Sequence, residues 1–238
     1  IRALGRAANE DGAQWLREVA ESDLLGMGSE ALLALGQMGD EGAESYLAKM
    51  MRHSKVRVAA GAATALAELG TPAARQILFR AASGSGSGKV RLAAIEALSS
   101  FEGGASFRLL TRLIKTRSTK VVTAAMRSLA RIGGDEAVMH LVAIATEGKR
   151  TLRSSATWAL REVVSPEARD ALIEIFYNDD DATRWAASRS LGGIGDEESV
   201  AALLAGLEGS NALAQAAVSA LADVPTQEKV VNALMEIV

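Results

Sequence analysis

Leucines stand at Leu4, Leu35, Leu66, Leu98, Leu129, Leu160, Leu191 and Leu221, separated by 31, 31, 32, 31, 31, 31 and 30 residues. So constant an interval argues against one globular core. Each period instead reads as one supersecondary unit that buries its apolar face against its neighbours in a stack. The positions around each leucine repeat with it. Four residues before it come Ala31, Ala62, Ala94, Ala125, Ala156, Ala187 and Ala217. One residue before it come Ala3, Ala34, Ala65, Ala97, Ser128, Ala159, Ser190 and Ala220. Three after it come Met38, Leu69, Phe101, Ile132, Val163, Ile194 and Val224. Offsets of minus 4, minus 1, zero and plus 3 share one helical face. Small residues on that face let neighbouring helix backbones approach closely, and the leucine fills the space left.

A second leucine follows twelve residues after each anchor, at Leu16, Leu47, Leu78, Leu110, Leu141, Leu172 and Leu203. Between the two, Gly39, Gly70, Gly133 and Gly195 sit where a helix needs a left-handed stop. Each period is therefore an inner helix, a glycine turn and an outer helix. Composition fits: 49% hydrophobic residues but 4% aromatic, with three prolines, suits alanine-rich helix packing better than a sandwich or barrel. The sequence has no apolar run of 18 residues and no signal-peptide pattern, so no membrane role is expected. Zero cysteines excludes disulfides and thiolate chemistry, and a cytoplasmic location is expected.

Residues 90–98 (VRLAAIEAL), 126–144 (MRSLARIGGDEAVMHLVAI) and 183–196 (TRWAASRSLGGIGD) resemble HEAT repeats, specifically the short bacterial HEAT-like type found in phycobilin lyase subunits and many adaptors. The resemblance covers essentially the whole chain. It implies an all-α fold, a right-handed α-solenoid (superhelix) of stacked antiparallel helix pairs. Tetratricopeptide and ankyrin signatures are missing, and Thr71-Pro72 is only a helix start. The family includes scaffolds, lyases and nucleic-acid enzymes, so function has to be argued from the residues of a site.

The expected organisation is a single solenoid over residues 1–238 with about eight repeats, beginning and ending mid-repeat. Residues 1–8 match the end of an inner helix, and residues 227–238 match an outer helix with no inner helix after it. Val230, Val231, Leu234 and Ile237 form no polar cap. A segment of a longer protein is therefore expected, with further repeats or another domain flanking both ends. The SGSGSG run at residues 83–88, followed by Lys89, lacks the spacing of a phosphate loop and reads as a flexible connection.

Charge is unevenly distributed. Residues 89–165 carry 13 Lys/Arg against 6 Asp/Glu, whereas residues 166–238 carry 4 against 13. Around residues 107–114 the apolar set Phe107, Leu110, Leu113 and Ile114 leaves Arg108, Arg112 and Lys115 on the free face of an outer helix. This is a convex basic stripe suited to an acidic partner surface, with Lys120 near its end. The acidic C-terminal third disfavours extended nucleic-acid binding.

The inner helices carry the sharper candidate. Offsets of about minus 6, minus 2 and plus 1 point away from the buried face, toward the concave side expected of such solenoids. Trp158, Trp185, Arg127, Arg161 and Arg189 fall there. Tryptophan and arginine dominate binding energy at protein interfaces. Trp15, beside Leu16, is expected in the core or in an end contact. Arg91, Arg153 and Arg184, each seven residues before a leucine, resemble the family's structural arginine ladder. Asp179, Asp180 and Asp181 read as a helix cap rather than a calcium site, with Asp180 aligned on Ser87, Ser118 and Ser210.

HEAT-like deoxyhypusine hydroxylases hold iron with repeated His-Glu pairs, but here Ser54 follows His53 and Leu141 follows His140, so that activity is not expected. A glycosylase-type reading has Glu162 or Asp181 as acids, and a bilin lyase-like or other small-ligand reading has the Trp/Arg surface as its pocket. The favoured expectation is a noncatalytic protein-interaction scaffold or adaptor that uses no cofactor or metal and binds a protein in the concave groove.

Overall fold

The computed structural model describes residues 10–39, 42–84, 88–101, 103–163, 165–225 and 230–231. The chain divides into two compact units, Ile1–Ser128 and Leu129–Val238. The fold is an all-α solenoid of antiparallel helix pairs, and among the described residues there is no strand. In the first unit the helices are α1 (Glu10–Ser22), α2 (Gly28–Met38), α3 (Ala43–Met50), α4 (Val56–Leu69), α5 (Pro72–Ser83), α6 (Gly88–Ala97) and α7 (Gly104–Ile114). Helix α8 (Thr119–Ile132) contains the division. The second unit continues with α9 (Gly134–Glu147), α10 (Arg150–Leu160), α11 (Pro166–Asn178), α12 (Asp181–Ile194), α13 (Glu197–Ala205) and α14 (Asn211–Leu221).

The periodic positions form the core. All seven alanines four residues before the described anchors are fully buried, and so are all seven second leucines. Burying each such leucine contributes about 2 kcal/mol. Inner helices pack on inner helices: α2 on α4 and α4 on α6 in the first unit, α10 on α12 and α12 on α14 in the second. The small residues allow this contact at backbone distance. A methyl added at Gly192 would lie 2.4 Å from the Ala220 carbonyl oxygen, and one at Gly36 would lie equally close to that of Ala65.

The glycine turns have a measurable effect. Gly39, Gly70, Gly133 and Gly195 all have positive φ, between 61° and 69°. In those four repeats the inner helix runs three residues past the leucine, and Met38, Leu69, Ile132 and Ile194 remain half-buried. The other three repeats have Glu102, Val164 and Pro225 at the glycine position. There the α-helix ends at Ala97, Leu160 or Leu221, and Phe101, Val163 and Val224 turn inward and are buried. A residue that tolerates the left-handed conformation lets the helix continue to its last turn; without one the chain leaves early.

The arginine ladder is present. Arg91 Nε donates to the Ala82 carbonyl at 2.9 Å, and Arg184 Nε donates to that of Phe176 at 3.0 Å. Arg153 bridges Asp179 at 2.8 Å and Asp180 at 2.6 Å. Asp180 caps α12 by accepting from the Ala182 and Thr183 amides, and Ser210 caps α14 in the same way through Leu213. Burial raises the Asp180 pKa, but the Thr183 amide with Arg150 and Arg153 outweighs it and holds the carboxyl below its usual range. Asp181 turns to Arg184 at 2.7 Å, so the three aspartates serve caps and ion pairs. Ser87 and residues 85–87 of the Ser/Gly run lie outside the described residues, as do residues 1–8, Leu234 and Ile237 of the expected open ends.

Two expectations need correction. Of the two places expected for Trp15, the core is excluded: it is 40% exposed, because Ala13, Leu16, Val19 and Ala20 occupy the buried face of α1. On α7, Leu109 takes a core place and Phe107 is only half-buried.

Candidate functional site

Inner helices α10 and α12 of the second unit carry Trp158 and Trp185, and two contacts set their register. The Ser190 hydroxyl lies 3.2 Å from the Thr157 carbonyl oxygen. Four residues after Thr157, just past the end of α10, the Arg161 side chain lies over Gly193, where a methyl would come within 2.2 Å of Nε. Residues 32 or 33 apart in sequence therefore face each other, and the two helices run in the same direction. On this register Trp158 and Trp185 are offset by about 8 Å along the axes at 1.5 Å per residue. With axes 8–10 Å apart the two positions are separated by about 12 Å.

Trp158 is 39% exposed and Trp185 40%. Among the described residues neither indole enters a ring–ring or cation–π contact. Both stand as large apolar surfaces on the free face of a pinned helix pair. Arg189 belongs to the same face but is tied to Asp223 at 2.7 Å. Among the described residues no carboxylate pairs with Arg161, whose guanidinium is ordered over Gly193. Arg127 belongs to the first unit, where it lies 3.7 Å from Glu96. The structure thus brings Trp158, Trp185, Arg161 and Arg189 onto one helix pair of the second unit and gives Arg189 an acidic neighbour. Asp223 was legible only as the residue two after its leucine, the place of Arg131 and Glu162, which pair at 2.9 Å.

The two acids with a conceivable catalytic role, Glu162 and Asp181, are both held in ion pairs. Among the described residues no group of three His, Asp or Glu side chains is arranged to hold a metal ion. Among them, too, no helix is long and apolar enough to cross a membrane. On α7, Arg108, Arg112 and Lys115 are in contact with solvent, on the side opposite Leu109, Leu110, Leu113 and Ile114.

A family model described as HEAT repeats matches residues 1–67, 27–99, 44–130, 78–161, 139–222 and 169–238, which together span the chain. No curated protein matches the sequence. Solved structures similar to it include human deoxyhypusine hydroxylase in complex with glycerol, at 20% identity over 93% of this chain and 87% of that one, with a TM-score of 0.40. Another is the complex of CpcE and CpcF of phycocyanin lyase from Nostoc, at 19% identity over 92% of each chain and a TM-score of 0.46. A designed armadillo repeat protein is similar at 17% identity, over 94% of this chain and 99% of that one, with a TM-score of 0.35.

Proposed function

The chain belongs to the HEAT-repeat family, and on that footing we propose that it is a noncatalytic scaffold that binds a protein partner through the free face of its inner helices. Trp158 and Trp185 are the anchors. Arg161 and Arg189 supply directed hydrogen-bond donors, and Arg127, in the first unit, is a separate contact of the same proposal. The observation that carries the reading is the pair of tryptophans, each about two-fifths exposed, on two helices whose register is fixed. Large rigid side chains on a pre-ordered surface lose little conformational freedom on binding, so most of their contact energy appears as affinity. The basic stripe Arg108, Arg112 and Lys115 is a second, electrostatic element of the same proposal, directed at an acidic surface.

The test is the native mass and absorbance spectrum of the protein purified from its own source. A colourless complex with a second polypeptide is the expected result. A bound pigment or other small ligand, with no second polypeptide, contradicts the proposal.

A further inference from the structure

The first unit holds a groove of about 590 Å³ between the α3–α4 connection and α5, with Val90 of α6 also lining it. Met51, Val56, Ile77 and Val90 make its floor, and Arg52 and Arg80 stand on its rim. Both arginines are exposed, and among the described residues neither guanidinium has a hydrogen bond or an ion pair. The wall formed by residues 51–56 is tied to the end of α1 and the turn after it. His53 Nδ1 accepts the Lys55 amide at 3.1 Å, which leaves Nε2 to donate to the Glu21 carbonyl at 3.2 Å. Lys55 Nζ then reaches Asp23 at 3.1 Å, and Arg57 reaches it at 2.6 Å.

On the other side of that wall the turn after Asp23 displays Leu24, 51% exposed, and Leu25, 86% exposed. Leu25 has φ 53° and ψ 21°. A leucine adopts this left-handed conformation only where its surroundings impose it, and such strain gathers at binding surfaces. Here the Asp23 cluster holds the turn, and the result is an exposed apolar side chain on the far side of that wall from the groove.

We propose that this edge of the first unit is a second docking site, for a protein segment rich in acidic and large aliphatic residues. Two guanidinia without a partner among the described residues, beside an apolar floor, complement carboxylates flanking aliphatic side chains. The groove is open along one side and its charges lie at the rim, so it covers one face of an occupant. Small-molecule sites bury most of their ligand's surface, whereas a groove of this kind suits a chain laid along it, with Leu24 and Leu25 extending the contact. The inference is independent of the tryptophan face.

A phage-displayed library of random 12-residue peptides, panned on the full chain, tests it. Enriched peptides combining Asp or Glu with Leu, Ile or Phe are expected. Once synthesised with a fluorescent label, they should bind at least tenfold more weakly to Arg52→Glu/Arg80→Glu and severalfold more weakly to Leu25→Ser. The same peptides should bind Trp158→Ala/Trp185→Ala unchanged. All these side chains are exposed, and circular dichroism verifies that the variants fold. Failure to enrich such peptides, or binding that survives Arg52→Glu/Arg80→Glu, overturns the proposal. Saturable binding of dodecanoate in the groove with no peptide enriched overturns it in favour of a small amphiphile.

Discussion

The Ser128 hydroxyl donates to the Ile95 carbonyl at 3.0 Å, from one inner helix to the one before it. The Ser190 hydroxyl, 62 residues later, lies 3.2 Å from the Thr157 carbonyl, again 33 residues away, and 2.8 Å from the Ala186 carbonyl of its own helix. Both serines replace the alanine that usually precedes the anchor leucine, and both are fully buried. A hydroxyl is tolerated in that alanine column because a backbone carbonyl, of the neighbouring helix at Ser128 and of its own helix at Ser190, accepts from it. Ser128→Ala is expected to lower stability by about 1 kcal/mol. For a chain of this size that appears as a melting temperature about 2–4 °C lower.

The glycines separate strain from crowding. Gly70 has φ 69° and nothing closer than 3.9 Å to an added methyl, so Gly70→Ala is expected to cost only the left-handed strain, about 1 kcal/mol. Gly192→Ala forces a methyl to 2.4 Å from the Ala220 carbonyl and should cost more, about 1–3 kcal/mol, through displacement of α14. Denaturant unfolding of both variants checks the order, and equal losses would contradict it.

Asp23 gives the fold an acid-sensitive element. The Gly28 amide, with Lys55 and Arg57, outweighs burial and lowers its pKa from 3.8 to about 2. A folded-state pKa below the unfolded value means that the stabilisation is complete above about pH 4 and is lost as pH falls through 2. Asp23→Asn should flatten that part of the stability–pH curve. An unchanged acid limb would set the cluster aside.

Charge reversal at Arg108, Arg112 and Lys115 tests the stripe on α7. Because these side chains lie away from the buried face, helicity should be unaffected. Affinity for the partner should drop, and its dependence on salt should weaken. A complex unaltered in both respects would remove the stripe from the interface.

The fold was legible because stacking repeats the same requirement: the alanine and leucine columns recur at every described anchor and every one is buried. Helix lengths are also written in the sequence, through the residue four after each leucine: glycine there continues the helix and its replacement ends it early. The candidate site was legible only in part. Counting offsets placed Trp158 and Trp185 on the free face, but the pairing of Arg189 with Asp223 depends on which side chains meet across a 31-residue interval. Trp15 is exposed beside the fully buried Leu16 because successive helical residues are turned about 100° apart. The groove beside Arg52 and Arg80 was not visible at all, because its floor is assembled from a connection and two helices that share no periodic signature.

The most direct test of the scaffold reading is the affinity of the co-purifying polypeptide for the wild-type chain and for Trp158→Ala/Trp185→Ala, measured by calorimetry. The account predicts a loss of at least ~2 kcal/mol, about 30-fold in Kd, with the helical signal intact. An unchanged Kd would contradict it and place the partner elsewhere on the molecule.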